Sequence, residues 1–268
     1  MNKKLIFLSN LAWQTKDQKK IIKKIKDNKF TGIDFAPLQI TNSWININKK
    51  VKKYSSYLKK NKIKVNAIQG IFFKKKFNLF NPNQSLTRIM DHLHIIIKLC
   101  NTLNCNKIIV GSSQFRNKLK LKKKLADKIF CNFLKQTLPL LEENKIFFCL
   151  ETIPKQYNEK YLYNFKDMVN MVKKINSKWI KINYDTSIFH YKKINLSEFK
   201  RNIKIIKNIQ ISEKQFKYFT NPSKRNIKFI NELKKNNKIK NVSFEMISNN
   251  TDFSKLDLSI KNINKLFN

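Results

Sequence analysis

The chain contains very few glycines: Gly32, Gly70 and Gly111 are the only three in 268 residues. They lie far apart, so the glycine-rich loop that cradles the phosphates of a dinucleotide is absent, which argues against an open sheet of the dinucleotide-binding type. No Gly/Ser/Pro-rich stretch divides the chain, and a chain of this length can bury one full core. We therefore expect a single domain over residues 1–268.

Acidic residues are also scarce, because 17 Asp and Glu face 57 Lys and Arg, giving a formal net charge of +40. Lys, Asn, Ile and Phe share A/T-rich codons, so base composition alone can produce this profile. One interpretation of the charge is a polyanion-binding surface. The other is a solvated lysine coat, which the even spread of Lys over every helical segment favours. We expect nonspecific polyanion binding and no specific nucleic-acid partner.

The four cysteines form no CxxC pair and have no histidine at zinc-finger spacing, so they are predicted to be reduced core thiols. Long apolar runs are missing as well. The run Leu5 to Leu8 is too short for a signal peptide, and no stretch approaches the roughly 20 apolar residues of a membrane span. These absences predict a cytoplasmic protein without a membrane partner.

Short apolar segments alternate with longer amphipathic ones along the whole chain. Strands are predicted at 4–9, 32–36, 64–69, 107–111, 146–151, 179–185, 205–211 and 242–246. Helices are predicted at 15–27, 47–62, 84–104, 119–144, 161–176, 222–238 and 254–267, with a short one at 195–202. Eight strand–helix repeats predict an α/β fold that closes into a (β/α)8 TIM barrel.

The last four strands each place one polar residue near the C-terminal end of one face: Glu151, Asp185, Gln210 and Glu245. In a barrel of this kind the active site lies at that end. Three converging carboxylates repel one another unless protons or a cation intervene, so a divalent metal is predicted. The alternative is that each acid ends its strand and pairs with one of the many lysines.

At these residues the chain resembles the sugar phosphate isomerase/epimerase family with a xylose isomerase-like TIM barrel, which includes tagatose 3-epimerase-like enzymes and, more distantly, the zinc AP-endonucleases. The resemblance runs along nearly the full length and rests on the order and strand placement of short motifs. These are SNLAW (9–13), GIDFAPL (32–38), AIQGIFF (67–73), NLF (78–80), GSSQFR (111–116), LETIP (150–154), NYDTS (183–187), IQISE (209–213) and VSFEM (242–246).

The resemblance implies that Glu151, Asp185, Gln210 and Glu245 hold a divalent metal, and that Glu151 and Glu245 are the catalytic acid/base pair. Such a pair moves a proton at the carbon next to a carbonyl. Gln210 stands where the family has a histidine ligand, so an all-oxygen site that prefers Mn or Mg to Zn is expected.

Substrate-binding roles are expected for four further residues. Arg116 matches an arginine of the family and could hold a phosphate or carboxylate, and Lys214 is a weaker candidate of the same kind. Trp13 could stack on a sugar or close the barrel mouth as packing. Ile188 stands where relatives carry a substrate-contacting histidine, and His190, two residues later, could take that role. Tyr157 stands where known epimerases have a glutamate.

The sequence thus predicts a metal-dependent sugar or sugar-phosphate isomerase or epimerase that acts on a small molecule, and a homodimer is left open. The alternative is a barrel that has lost metal and catalysis and serves as a binding or accessory protein. An AP-endonuclease-like nuclease ranks last, because the three histidines, His92, His94 and His190, cannot supply a trinuclear zinc site.

Overall fold

Eight parallel strands close into a barrel in the order of the sequence in the computed structural model, which describes residues 4–191 and 196–267. The strands are β1 Leu5–Ser9, β2 Gly32–Phe35, β3 Lys64–Ile68, β4 Lys107–Val110, β5 Phe147–Glu151, β6 Ile180–Asp185, β7 Ile206–Ser212 and β8 Asn241–Glu245. The pairing of β1 with β8 completes the ring. The predicted (β/α)8 barrel is confirmed, and no strand bound differs from the prediction by more than one residue.

A helix follows each strand and packs outside the barrel. The helices are α1 Gln18–Asp27, α2 Ile47–Lys60, α3 Leu86–Leu103, α4 Lys123–Glu143, α5 Phe165–Ile175, α6 Leu196–Arg201, α7 Lys224–Lys235 and α8 Phe253–Phe267. The short helix predicted after the sixth strand is α6, whose predicted residue 195 lies outside the described residues. No helix within the described ranges has the length and apolar character needed to cross a membrane.

Local sequence explains where the helices begin and end, and α3 is a clear case. The Ser85 hydroxyl caps its first turn by accepting a hydrogen bond from the backbone N–H of Arg88 (3.4 Å), and Asn104 ends it in the left-handed conformation at φ 51°. The face between these caps buries Ile89, Leu93 and Cys100 against the barrel. The amphipathic spacing that predicts the helix is therefore also what attaches it to the barrel.

The interior of the barrel is polar, whereas branched apolar residues usually fill this space. The Lys107 Nζ donates hydrogen bonds to Asn66 Oδ1 and to Asn208 Oδ1 (2.9 Å). Asn66 Nδ2 donates in turn to Asp34 Oδ1 (2.6 Å), and Asn208 Nδ2 donates to Asn183 Oδ1 (2.9 Å). Buried polar groups stabilise a fold only when they are paired, and this network pairs residues from five of the eight strands.

One glycine is required for the barrel to close as it does. A Cβ atom at Gly32 would lie 1.8 Å from the backbone carbonyl oxygen of Lys64 on the neighbouring strand β3. The pairing of β2 with β3 also shifts register between Ile33 and Asp34. The close approach of the two backbones at Gly32 leaves no room for a side chain.

Candidate functional site

Three carboxylates converge at the C-terminal mouth of the barrel. Glu151 ends β5, Asp185 ends β6 and Glu245 ends β8, and one oxygen from each lies within 4.8 Å of the others. Strand alternation places them there, because every second residue of a barrel strand faces inward. The inward direction predicted for these three residues therefore brings them to one point.

The protein around the three carboxyls disfavours their charged forms. Burial is the main cause that raises the pKa of Glu151, Asp185 and Glu245 above their ordinary values. Repulsion by Asp185 raises the pKa of both glutamates further. Glu151 keeps part of its surface open to the adjoining cavity, but its carboxyl is still largely removed from bulk water. Such a cluster needs protons or a cation to be stable.

One carboxylate oxygen of the cluster has no partner. Asp185 Oδ1 accepts a hydrogen bond from the backbone N–H of Ser187 (2.7 Å), which fixes the side chain at the start of a short 3-10 turn. Asp185 Oδ2 is buried, and no hydrogen-bond donor among the described residues reaches it. A buried, unpaired oxygen next to two other carboxylates fits a bound divalent cation, for which carboxylate oxygens are the usual ligands.

Gly111 makes room for the Glu151 carboxyl. A Cβ atom at position 111 would lie 1.6 Å from Glu151 Oε2. The residue directly follows β4, the strand beside β5, so the missing side chain leaves the space that the carboxyl occupies. Gly111 is needed here for the space that its missing side chain leaves and not for an unusual backbone conformation. This role was not predicted from the sequence.

Gln210 lies beside the cluster with both ends of its amide engaged. Its Oε1 accepts a hydrogen bond from Asn183 Nδ2 (2.6 Å), and its Nε2 donates to Gln69 Oε1 (2.6 Å) and Asp34 Oδ2 (3.3 Å). Asn183 Nδ2 also donates to Glu151 Oε1 (3.2 Å). One lone pair of Gln210 Oε1 stays available to a cation, so its role as a fourth ligand remains a prediction, and its role in the barrel network is direct.

A cavity of about 300 Å³ opens over the cluster. Its wall combines apolar residues with hydroxyl, amide and carboxyl groups. It is lined by Leu11, Gln69, Gly70, Ile109, Gly111, Ser113, Glu151, Thr152, Ile153, Pro154, Tyr157, Ser187, Gln210, Phe216, Glu245 and Ile247. None of these residues is Lys, Arg or His, although the chain carries 57 Lys and Arg. The ionisable side chains at the wall are Glu151, Glu245 and Tyr157, all of which are neutral or negatively charged.

Arg116 does not line this cavity, and both of its terminal guanidinium nitrogens already have partners, whereas its buried Nε has none among the described residues. Its side chain is completely buried, and its Nη2 forms an ion pair with Glu159 Oε2 (2.7 Å). Its Nη1 donates to the backbone carbonyl of Glu151 (2.8 Å), which ties the end of β5 in place. The substrate-binding role of Arg116 stays a prediction, but the contacts seen here are those of a residue that positions Glu151.

The other three predicted substrate residues also lie outside the cavity wall. Trp13 is fully buried, and its Nε1 donates to Gln18 Oε1 (2.7 Å), as a packing residue would. A ring nitrogen of His190 contacts the backbone carbonyl of Ser212 (3.0 Å). Lys214 is exposed in the loop after β7. Their binding roles are not tested by the structure and remain predictions.

Aromatic residues at the rim are a feature that the sequence did not single out as a group. The Tyr157 ring packs against those of Tyr191 and Phe216, with centroids 5.6 and 5.2 Å away. The Tyr157 hydroxyl accepts from Tyr191 Oη (3.2 Å) and from the backbone N–H of Gln215 (3.0 Å). Only the departure at Tyr157 hinted at this surface, which joins the loops after β5, β6 and β7.

The Gly111 contact leads to a first prediction. We expect Gly111→Ala to displace the Glu151 carboxyl, since the clashing atom is the end of a flexible side chain, and to weaken Mn²⁺ binding about tenfold or more while the barrel stays folded. Calorimetric titration with Mn²⁺ measures this effect. Ile247→Ala is the control, because Ile247 also lines the cavity, is 47% exposed and on truncation adds no atom near Glu151. Equal Mn²⁺ affinity in both variants and the wild type would contradict the assigned role.

The raised pKa values predict how stability depends on pH. The pKa of each carboxyl rises on folding from its ordinary value, 4.5 for Glu and 3.8 for Asp. The metal-free protein therefore loses stability as the pH increases from the ordinary pKa to the raised pKa of the folded protein. In EDTA, Glu245→Gln should therefore melt higher than wild type by about 2–4 °C per kcal/mol gained, with a difference that grows from pH 5 to pH 8.

With Mn²⁺ the order should reverse, because the cation stabilises only a folded protein that binds it. The melting temperature of the wild type should rise with added Mn²⁺, more at pH 8 than at pH 5, and that of Glu245→Gln should rise far less. The exposed Glu142→Gln is the control and should follow the wild type. A Mn²⁺ effect that is the same at both pH values would count against the carboxylate cluster as the site.

Comparison with known proteins agrees with this fold. A family model described as a xylose isomerase-like TIM barrel matches residues 22–247. A comparison with curated protein sequences gives no match.

Solved structures similar to the chain have different activities. One is 3-keto-D-glucoside 4-epimerase from E. coli, with TM-score 0.75, 12% identity and coverage of 98% of this chain and 99% of that chain. Another is a family 2 AP endonuclease from Brucella melitensis, with TM-score 0.74, 12% identity and coverage of 92% and 95%. A third is the IOLI protein with a zinc atom, with TM-score 0.69, 15% identity and coverage of 98% and 95%.

At such low identities the structural likeness shows the fold alone. The family model is more informative because it spans most of the chain, from within α1 to just beyond β8. The resemblance seen in the short motifs is thereby confirmed, and the chain belongs to the xylose isomerase-like TIM barrel family.

Proposed function

We propose that the protein is a divalent-metal-dependent epimerase or isomerase of an unphosphorylated sugar, in which Glu151 and Glu245 move a proton at the carbon next to a carbonyl. The observation that carries the proposal is the convergence of Glu151, Asp185 and Glu245 within 4.8 Å at the floor of a cavity. The 3-keto-D-glucoside epimerase among the similar structures supports a sugar substrate.

Glu151, Asp185 and Glu245 are the proposed metal ligands, with Gln210 as the neutral fourth. The donor set is all oxygen, which suits Mn²⁺ or Mg²⁺ better than Zn²⁺. A divalent cation bound there would polarise the carbonyl and hydroxyl oxygens of the substrate and so acidify the neighbouring C–H. Asp185, which is held by the Ser187 backbone and does not line the cavity, is a ligand with no proton-transfer role.

The two glutamates can reach the substrate from different sides. They end β5 and β8, three strands apart around the barrel, and both line the cavity. One, as the carboxylate, takes the proton from the carbon and leaves an enediolate. In an epimerase the other, as the carboxylic acid, returns a proton to the opposite face of that carbon. In an isomerase the proton returns to the adjacent carbon, and the hydroxyl proton moves to the former carbonyl oxygen, so that the carbonyl changes place.

The cavity wall supports an uncharged substrate. None of its residues carries a positive charge, and the Arg116 guanidinium is paired with Glu159. Phosphate recognition relies on Arg, Lys or helix N-termini. The Ser113, Thr152 and Ser187 hydroxyls at the wall are the groups that recognise sugar hydroxyls.

Solvent exchange tests the catalytic assignment. Wild type loaded with Mn²⁺ and given a panel of free ketoses in D₂O should incorporate deuterium at the carbon next to the carbonyl of at least one of them. Glu151→Gln and Glu245→Gln should each lower this exchange by about 10²–10⁴-fold, because each removes a general acid/base. Glu142→Gln, with an exposed side chain, should exchange as the wild type does. Undiminished exchange in both cavity variants would remove the assignment.

A second measurement tests the substrate class. For the ketose with the best exchange, we expect the free sugar to react with a kcat/KM at least about tenfold above that of its terminal phosphate ester, since a phosphate would meet only neutral and acidic groups at the wall. NMR of both substrates under the same Mn²⁺ concentration gives the comparison. A preference for the phosphate ester would contradict the proposed unphosphorylated substrate.

The alternative is a barrel that binds a ligand without catalysis, and Gln210 is the observation that favours it. The family has a histidine ligand there, whereas the Gln210 amide is held within the barrel network. Wild type that binds no Mn²⁺ and promotes no exchange would establish this alternative. A nuclease-like site finds no support among the described residues, because His92 is buried against the Trp44, Phe72 and Phe77 rings and the carboxylate cluster contains no histidine.

A further inference from the structure

A second cavity lies at the opposite mouth of the barrel, where the strands begin. Its volume is about 440 Å³, within the range of small-molecule sites. It is lined by Asn106, Lys107, Lys204, Ile206, Lys207, Ile209, Lys238, Ile239, Lys240 and Asn241. These residues lie at or just before the N-terminal ends of β4, β7 and β8. We call this the basal cavity, and the length of the barrel separates it from the carboxylate cluster.

Half of the residues lining the basal cavity are lysines, and none is acidic. Four of the lysines, Lys204, Lys207, Lys238 and Lys240, are exposed. The ion pairs found within the described residues that involve lysine use other side chains, at Lys24, Lys123, Lys200 and Lys255. Within the described residues, the four exposed lysines of this cavity therefore have no carboxylate partner.

Lys107 is the fifth lysine, and it is unlike the rest of the lysine surface because it is only 4% exposed. Its ammonium donates to Asn66 Oδ1 and Asn208 Oδ1, which uses two of its three N–H groups. Burial lowers the pKa of Lys107, attraction to Asp34 raises it, and repulsion by the nearby Lys207 lowers it. A bound anion would accept the third N–H and relieve that repulsion.

We propose that the basal cavity binds a small anion that carries two or more phosphate groups, such as a diphosphate. Several lysines from separate loops can each hold one phosphate oxygen, and lysine is an effective point-charge ligand for phosphate. An anion with one charge would engage only part of this set. The concave shape and the apolar Ile206, Ile209 and Ile239 distinguish this site from the convex lysine coat of the helices. The inference is independent of the function proposed for the other mouth.

The test must separate a local site from the high charge of the whole protein. We would compare a basal quadruple variant, Lys204→Gln/Lys207→Gln/Lys238→Gln/Lys240→Gln, with a control quadruple variant, Lys23→Gln/Lys49→Gln/Lys52→Gln/Lys53→Gln, on the exposed surfaces of α1 and α2. Each removes four positive charges, and all eight side chains are exposed, so the fold should be retained in both.

Calorimetric titration with inorganic pyrophosphate at fixed ionic strength supplies the readout, in metal-free buffer so that the carboxylate cluster takes no part. Wild type and control variant should bind pyrophosphate at one saturable site with affinities within about twofold of each other, and the basal variant should bind at least about tenfold more weakly. Equal weakening in both quadruple variants, or only weak and unsaturable binding to the wild type, would overturn the proposal.

Discussion

The structure depends on how the barrel tolerates three carboxylates within 4.8 Å of one another. Three neighbouring residues contribute to this. Gly111, just after β4, leaves space for the Glu151 carboxyl, Ser187 fixes Asp185 through its backbone, and the buried Arg116 anchors the end of β5. None of these contacts neutralises the cluster, because Arg116 gives its ion pair to Glu159 and only a backbone contact to Glu151. The protein thus prepares a site that is completed by a cation or by protons.

The polar interior of the barrel connects this cluster to the other end of the molecule. A hydrogen-bonded path runs from Lys107 through Asn208 and Asn183 to Glu151 Oε1, so the two ends of the barrel are joined by amides. Amides suit this position because each both donates and accepts, which allows a chain of groups to be satisfied without further charge. The one buried carboxyl at the centre, Asp34, is hydrogen-bonded by Asn66 and Gln210, and burial raises its pKa. Removal of any one member would leave another buried group unpaired.

The fold and the converging acids were predictable because they follow from periodicity. Alternation along β5, β6 and β8 sets the inward direction of Glu151, Asp185 and Glu245, and strand order then brings them together. The contacts of Arg116 and Trp13 were not predictable in this way. The ion pair of Arg116 depends on Glu159, 43 positions away, and the burial of Trp13 depends on how α1 packs. Asp34 was overlooked since a single acid in an apolar strand carries no pattern, and Gly111 since its role is space for a neighbour.

The distribution of charge separates what base composition can explain from what it cannot. A bias toward lysine codons fills positions where any solvated residue serves, and the outer faces of the helices are such positions. It does not account for the absence of Lys and Arg from the wall of the cavity over the carboxylate cluster, in a chain of net charge +40. Nor does it account for Lys107, the one lysine buried among the described residues, whose ammonium is matched to two asparagine oxygens. A buried ammonium without partners would be strongly destabilising, so Lys107 depends on the asparagines around it, a match that composition alone does not require.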